Sequence, residues 1–330
     1  MRAVVITKPG GPEVLQVRDV PQPKVGPDDV LVRVQATALN RADLLQRQGH
    51  YPAPPGWPQD IPGLEFAGVV AGLGERAARW QIGARVFGLV GGGAHAEFVA
   101  IHERAIAEIP QRLSWSEAAA VPEAFITAHD ALFTQAKLRP GERVLIHAVG
   151  SGVGLAAVQL ARAIGAEPYG ITRTPEKLLR AGEFALAAGA VVNDPGAELP
   201  AYAEQWTHGR GFDVVLDLAG GLYTRAALDV LGPKGRLMLV GTVAGGRSEL
   251  PLGVVMRKRL SIRGTVMRAR PLEERIDAIQ LFAKEVVPML ESGALQATID
   301  SEFALDDIRA AHERLESNET FGKVVLTLPD

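Results

Sequence analysis

The 330-residue chain contains no cysteine. That excludes disulfides, iron–sulfur clusters, thiolate zinc sites and cysteine nucleophiles together. No uninterrupted apolar run approaches the roughly 18 residues that a membrane-spanning helix needs, so no span is expected. The opening Met1-Arg2-Ala3-Val4-Val5-Ile6-Thr7-Lys8 is too short an apolar stretch for a secretory signal, and a cytoplasmic location is the default expectation. Neither sign of charge dominates. The formal net charge is −3, with no basic excess to suit nucleic acid and no like-charge block to suggest a disordered tail. What is present is the balance of an ordinary globular protein: 47% hydrophobic and 22% charged residues, on a chain long enough for two cores.

Residues 1–115 read as mostly β. Apolar stretches at Ala3–Ile6, Val30–Ala36, Glu65–Gly72 and Ala84–Leu89 are separated by proline and glycine, and Asn40–Gln48 has a short helical look. Pro52-Ala53-Pro54-Pro55-Gly56 excludes helix and central strand there. Ser114 followed by Glu117 marks a helix start, with an Ala-rich helix behind it and a second helical stretch at Thr127–Phe133. From Arg143 onward strands and helices alternate. Strands are expected at Arg143–Ala148, Glu167–Ile171, Val191–Val192, Phe212–Leu218, Gly235–Val240 and Leu260–Val266, with helices at Gly152–Ile164, Pro175–Leu186 and Tyr223–Leu231. Such alternation predicts a doubly wound, mainly parallel sheet. Glu273–Leu290 reads as one amphipathic helix, and Phe321–Leu328 as a strand returning to the first domain.

The chemistry concentrates where the strand Arg143–Ala148 runs into Val149-Gly150-Ser151-Gly152-Val153-Gly154 and then a helix. A glycine loop brings backbone N–H groups close to a pyrophosphate, and the helix N-terminus adds favourable partial charge. The strict G-x-G-x-x-G/A spacing fits only as Gly152, Gly154 and Ala157. The alternative is a tight Gly-rich turn with no nucleotide. At the end of the next strand, where an acid would bind NAD ribose hydroxyls, stands Thr172, followed by Arg173 and Lys177. A hydroxyl and two cations suit a 2′-phosphate; the other reading is ordinary surface charge at a helix start.

Several segments in fixed order carry a resemblance. They are Lys8-Pro9-Gly10-Gly11-Pro12-Glu13, Ala38-Leu39-Asn40-Arg41-Ala42-Asp43, Arg47-Gln48-Gly49-His50-Tyr51 and Pro62-Gly63-Leu64-Glu65. Ala118–Val121 with Thr127-Ala128, Ala148–Gly154 and Gly322-Lys323-Val324-Val325-Leu326 complete them. Over essentially its whole length the chain resembles the medium-chain dehydrogenase/reductase superfamily, in its zinc-free quinone oxidoreductase (zeta-crystallin-like) branch. The resemblance implies an α/β protein. A GroES-like β-rich catalytic domain would span 1–120, completed by 267–330. A doubly wound Rossmann-type domain binding NADPH would span 121–266. It implies hydride transfer to quinones, or to the double bond of an enone or 2-alkenal. By position, Asn40, Tyr51 and Thr127 would be the catalytic residues. The cofactor contacts would be Gly150, Ser151, Gly152, Val153, Gly154, Thr172, Arg173, Lys177, Asn193, Gly241, Thr242, Thr265, Val266 and Lys323. It also implies a homodimer or homotetramer, with Leu260–Val266 as the natural edge for that contact.

Two departures from relatives stand out. Zinc alcohol dehydrogenases of the superfamily set Cys, His and Glu around a metal; here Asn40 stands at the Cys position and Leu64 at the His position, leaving Glu65, so no metal site is expected. Relatives often carry a Tyr just after the third strand, near the 2′-phosphate. Here Val192-Asn193-Asp194 stands there, and Asp194 turned inward would repel that phosphate.

The remaining candidates admit bland readings. The seven histidines lack ligand spacing. Gly91-Gly92-Gly93 lacks a following helix and reads as a flexible turn. Tyr51 is either a hydroxyl donor or an aromatic wall, and Asn40 either a hydrogen-bonding group at the nicotinamide or a helix cap. Arg268 and Arg270 are candidates for substrate carbonyls or surface charge. A reading of another class, a non-catalytic NADPH-binding protein that is structural or RNA-associating, is opposed for RNA by the missing basic patch.

Overall fold

The computed structural model describes residues 1–329. It comprises two compact units: Met1–Ile126 together with the chain from Met267 onward, and Thr127–Val266. In chain order the first unit contributes β1 (Arg2–Ile6), β2 (Leu15–Asp19), β3 (Asp29–Ala38), α1 (Arg41–Arg47), β4 (Glu65–Leu73), β5 (Arg85–Leu89), β6 (Phe98–His102), β7 (Ile106–Glu108) and α2 (Trp115–Ala119). The second unit contributes α3 (Thr127–His129), β8 (Arg143–Ile146), α4 (Gly152–Ala163), β9 (Glu167–Thr172), α5 (Pro175–Gly182), β10 (Ala188–Val191) and α6 (Pro195–Thr207). It continues with β11 (Phe212–Asp217), α7 (Leu222–Val230), β12 (Leu231–Leu239), α8 (Leu252–Lys258) and β13 (Ser261–Gly264). The first unit then resumes with α9 (Leu272–Glu285), α10 (Val287–Glu291), β14 (Ile299–Ala304), α11 (Ile308–Glu316) and β15 (Lys323–Thr327).

The main sheet of the first unit runs β14-β15-β3-β4-β5-β7, with β6 also paired to β3. Alternation along β3 puts Val30, Val32 and Val34 into the core; from Gln35 to Ala38 both faces are buried, where α2 also packs. The last strand returns as expected: in β15, Val325 pairs with Ala38 of β3. Asp43, three residues after Asn40, accepts from the Asn40 backbone N–H at 2.7 Å and fixes the start of α1.

The second unit is a six-stranded parallel sheet ordered β10-β9-β8-β11-β12-β13, which in chain order is 3-2-1-4-5-6, the doubly wound arrangement. Val144–Ile146 and Val214–Leu216 are buried on both faces, as central parallel strands must be. Ligands of such sheets gather where the order reverses, here at the carboxyl ends of β8 and β11.

Several boundaries differ from the sequence expectation. Glu273–Leu290 is two helices, because Pro288 has no N–H to continue the first. The Ala-rich helix after Ser114 stops at Ala119, short of Pro122; Pro122–Ile126 then forms a wide helical turn packed on β4, β5 and α9. Strands β2, β6, β7 and β14 and helices α6, α8 and α11 lie outside the elements expected from sequence. For α6 the local start signal, Asp194 before Pro195, is followed by Pro200 inside the helix, which masks it.

Candidate functional site

In the second unit the glycine segment links β8 to α4. The Val149 N–H donates to Ile171 O at 3.0 Å, and Ala148 adopts φ +48°, so the loop turns sharply while pinned to β9. Ser151 caps α4, its Oγ accepting from the Gly154 N–H at 3.1 Å. Gly154 admits no side chain: a Cβ would lie 2.7 Å from Val149 O and 2.8 Å from Ala148 O. The helix therefore begins at Gly152, and the strict fingerprint Gly152, Gly154, Ala157 lies within its first turns, not across the loop. The N–H groups of Gly152 and Val153 belong to that first turn and have no intrahelical acceptor. Such free N–H groups at the start of a twelve-residue helix fit a pyrophosphate.

Thr172 ends β9, nearly buried, with Arg173 exposed beyond it and Lys177 half-buried on α5. Tyr223, missed in the sequence, reaches this corner from α7. Its hydroxyl donates to Val192 O at 3.2 Å, and its ring lies 5.5 Å from that of His147. Burial raises its pKa, and the nearby Arg173 charge opposes that rise. Asp194 does not turn toward the Arg173 corner: it caps α6, accepting from Gly196 N at 3.1 Å and Ala197 N at 3.2 Å. The neighbouring Asn193 is exposed, its backbone N–H given to Glu198.

At the end of β12, Gly241 packs so closely that a Cβ would lie 2.4 Å from Leu218 O, and Thr242 is exposed beyond it. The Thr265 hydroxyl donates to Asp130 at 3.0 Å, whereas Val266 is 51% exposed. Thr127 is buried, and its hydroxyl has no partner among the described residues.

Between β8 and β11, His147 Nδ1 lies 3.0 Å from Asp217 Oδ1. Asp217 also accepts from the Ala219 and Gly220 N–H groups and the Thr224 hydroxyl. Burial pushes its pKa upward but is outweighed by the His147, Gly220 and Thr224 interactions, which bring it down to about 2.

In the first unit a different cluster forms around Lys323. Its ammonium donates to Leu39 O at 2.9 Å and Asn40 Oδ1 at 2.6 Å, and pairs with Glu65 Oε1 at 2.7 Å. All three of its N–H bonds are used, and it is 6% exposed, at the position where the sequence suggests a cofactor contact. Asn40 is equally committed: its amide donates to Glu65 Oε1 at 2.8 Å and to Ala38 O. A cation thus already lies between the side chains at two positions where zinc relatives place ligands.

Glu65 Oε2 accepts from the Glu123 N–H at 2.7 Å. The Glu123 carboxyl itself has no hydrogen-bond partner among the described residues. Burial and the neighbouring Glu65 push its pKa up to about 7, Asp43 adds to the rise, and Lys323 and Arg268 oppose it. Sequence reasoning passed over Glu123; the signal available was one acid in the apolar run Ala118–Ile126.

Tyr51 is half-buried beside this group. Burial raises its pKa, Arg268 opposes that and Glu123 adds to it, so the phenol stays protonated. Arg268 acts as a clamp between neighbouring segments. Its guanidinium sits 5.0 Å from the centre of the Tyr51 ring and donates to Tyr51 O, Gly91 O and Gln46 Oε1. Gly91, in turn, lies against Trp57, whose ring a Cβ would meet at 2.5 Å; the triple glycine is a packed corner.

The residues of the first unit at 26–111 match the family model "Alcohol dehydrogenase GroES-like domain", and 152–284 match "Zinc-binding dehydrogenase". The chain is 33% identical over 322 residues to a quinone oxidoreductase of Pseudomonas aeruginosa, covering 96% of each. The structure is similar to Escherichia coli quinone oxidoreductase complexed with NADPH, at TM-score 0.88 and 27% identity over 99% of this chain and all of that one. It is also similar to CurK enoyl reductase, at TM-score 0.86 and 28% identity over 99% of each. The chain belongs to the medium-chain dehydrogenase/reductase superfamily, in its quinone oxidoreductase family. Its first unit carries the GroES-like fold and its second the Rossmann-type dinucleotide-binding fold, and it is an oxidoreductase that uses a nicotinamide dinucleotide.

Proposed function

We propose that the chain is an NADPH-preferring reductase that delivers hydride to quinones without a metal. The observation that carries this reading is the corner at Thr172, Arg173 and Lys177, a hydroxyl and two cations where NAD-selective sites place a carboxylate, next to the capped start of α4. Bound there, the dinucleotide supplies the hydride. The chain holds its pyrophosphate on the Gly150–Gly154 segment and its 2′-phosphate on Arg173 and Lys177. Gly241, Thr242, Thr265 and Val266 line the nicotinamide, with the Thr127 hydroxyl as a hydrogen-bonding contact. Asn193 faces the adenosine end.

Metal independence is supported by the Lys323 ammonium between Asn40 and Glu65. Without a metal to polarise the acceptor, acceleration comes from positioning and from a proton source. Tyr51, half-buried and protonated, is the group nearest to that task, as a wall for the acceptor ring and a hydroxyl facing it. Asn40 acts indirectly, by holding Lys323 and Glu65.

The similarity to CurK enoyl reductase favours a second reading, reduction of a conjugated double bond. Competing a 1,4-quinone and a 2-alkenal for the same NADPH decides between them. Faster consumption of the quinone supports the first reading, and exclusive reduction of the alkenal replaces it. As partner we propose a second copy of the chain, paired through β13, which is the edge strand of its sheet. Sedimentation velocity reads this directly: a monomer at micromolar concentration removes the proposal.

A further inference from the structure

The proton that must accompany a hydride needs a source, and the first unit contains a carboxyl placed for it. Glu123, Arg268 and Arg275 line one cavity with Leu89, Val90 and Ile279. Its volume is about 10 Å³, room for the centre of a single water. The polar groups of its wall suit such a water. The Glu123 carboxyl has no hydrogen-bond partner among the described residues. The Nε of Arg275 is buried with no partner, and its guanidinium faces the Trp57 ring at 5.2 Å. Arg268, by contrast, donates from each of its three nitrogens, to Gly91, Tyr51 and Gln46.

We propose that Glu123 is the acid that supplies the proton consumed in the reduction, recharged through one water held between its carboxyl and Arg275. The proposal rests on the reductase reading above. Hydride adds to the acceptor, the Glu123 O–H bond breaks, and its proton goes to the acceptor oxygen, directly or through Tyr51. The Glu123 carboxylate then takes a proton from solvent by way of the cavity water, so two electrons and two hydrogens reach the acceptor.

The charged surroundings fit this cycle. Glu65, Asp43, Lys323, Arg268, Arg275 and Tyr51 are the titratable groups around Glu123 from β4, α1, β15, α9 and the connecting loops. Glu65 is fixed by Lys323 and by the Glu123 backbone. Its negative charge stays close to the Glu123 carboxyl and favours the protonated form. With a pKa of about 7, Glu123 is both protonated often enough to donate and acidic enough to release its proton.

Two measurements test it. The first needs no turnover: infrared titration of the cofactor-free protein should show a protonated-carboxyl band that disappears near pH 7 and is missing in Glu123→Gln. The second is the pH profile of kcat with a quinone. The wild type should lose activity tenfold per pH unit above about pH 7. Glu123→Gln should be slower by roughly 10²-fold at pH 6 and flat across that range, with the NADPH affinity unchanged. Arg275→Met should lower kcat and leave the infrared band. Absence of the band, or a Glu123→Gln profile that superimposes on the wild type, overturns the proposal alone. A wild type that reduces no quinone or enone overturns the reductase reading and this proposal with it.

Discussion

His147 Nδ1 and Asp217 Oδ1, 3.0 Å apart and fully buried, join the carboxyl ends of β8 and β11 where the strand order of the parallel sheet reverses. The carboxylate accepts at both oxygens, so only its ionised form satisfies every donor around it. Its pKa falls from 3.8 to about 2 on folding. A depressed acid contributes stability that is fully present above its unfolded value and is lost as pH falls through the folded one. The loss therefore occurs between about pH 4 and pH 2 and amounts to about 2 kcal/mol. Urea unfolding of wild type and Asp217→Asn at pH 6 and pH 2.5 checks this. The variant should be less stable at pH 6, and the gap should narrow at pH 2.5.

The Lys323–Glu65 pair predicts strong coupling in stability. Both side chains are almost wholly buried, so removing either partner leaves a charge without compensation, at about 3–5 kcal/mol. Lys323→Met and Glu65→Gln should each destabilise by that order. The double variant should fall well short of the sum, as a double-mutant cycle in urea would read. Additive losses would mean that the pair is not an interacting unit.

Glu123 predicts the opposite pH dependence to Asp217. Its folded pKa, about 7, lies above the unfolded 4.5. The folded state therefore binds the extra proton, and stability falls as pH rises from about 4.5 to 7, by about 3 kcal/mol. Glu123→Gln cannot ionise. Relative to wild type it should become progressively more stable across that window, and thermal unfolding at pH 5 and pH 8 would show it. An unchanged difference between the two pH values would contradict the raised pKa.

Much of this was legible in the sequence where the cause is local. The strand, glycine loop and helix were readable because loop closure and helix start are encoded within a few residues, as was the Ser114–Glu117 capping box, which forms with Glu117 N 3.2 Å from Ser114 Oγ. The helix start expected at Gly152 is where α4 begins; the close packing of Gly154 on Val149 and Ala148 was not readable, because it depends on how the loop folds back on itself. Long-range partners were also hidden. Lys323 meets Asn40 across 283 residues, and Arg268 meets Gly91 across 177. Nothing in a local pattern says that a lysine after Gly322 is a buried counter-ion, or that Arg268 is a clamp. Tyr223 reached the corner by Val192 from a separate helix, where the resemblance led one to look for an aromatic within the Val192–Asp194 segment itself.

The corner at Arg173 predicts cofactor discrimination. Arg173→Ala and Lys177→Ala should each weaken NADPH binding by about tenfold, or ~1.4 kcal/mol, and leave NADH binding nearly unchanged. Fluorescence titration of each variant with both dinucleotides reads the difference. Equal losses for the two would contradict a 2′-phosphate role for these cations.

Chelator-treated protein, mixed with NADPH and a 1,4-quinone and followed by nicotinamide absorbance, tests the central claim most directly. Steady oxidation of NADPH is expected, which chelation does not slow and which NADH supports less well. No oxidation with any quinone or enone at saturating NADPH, or activity lost on chelation and restored by zinc, would contradict it.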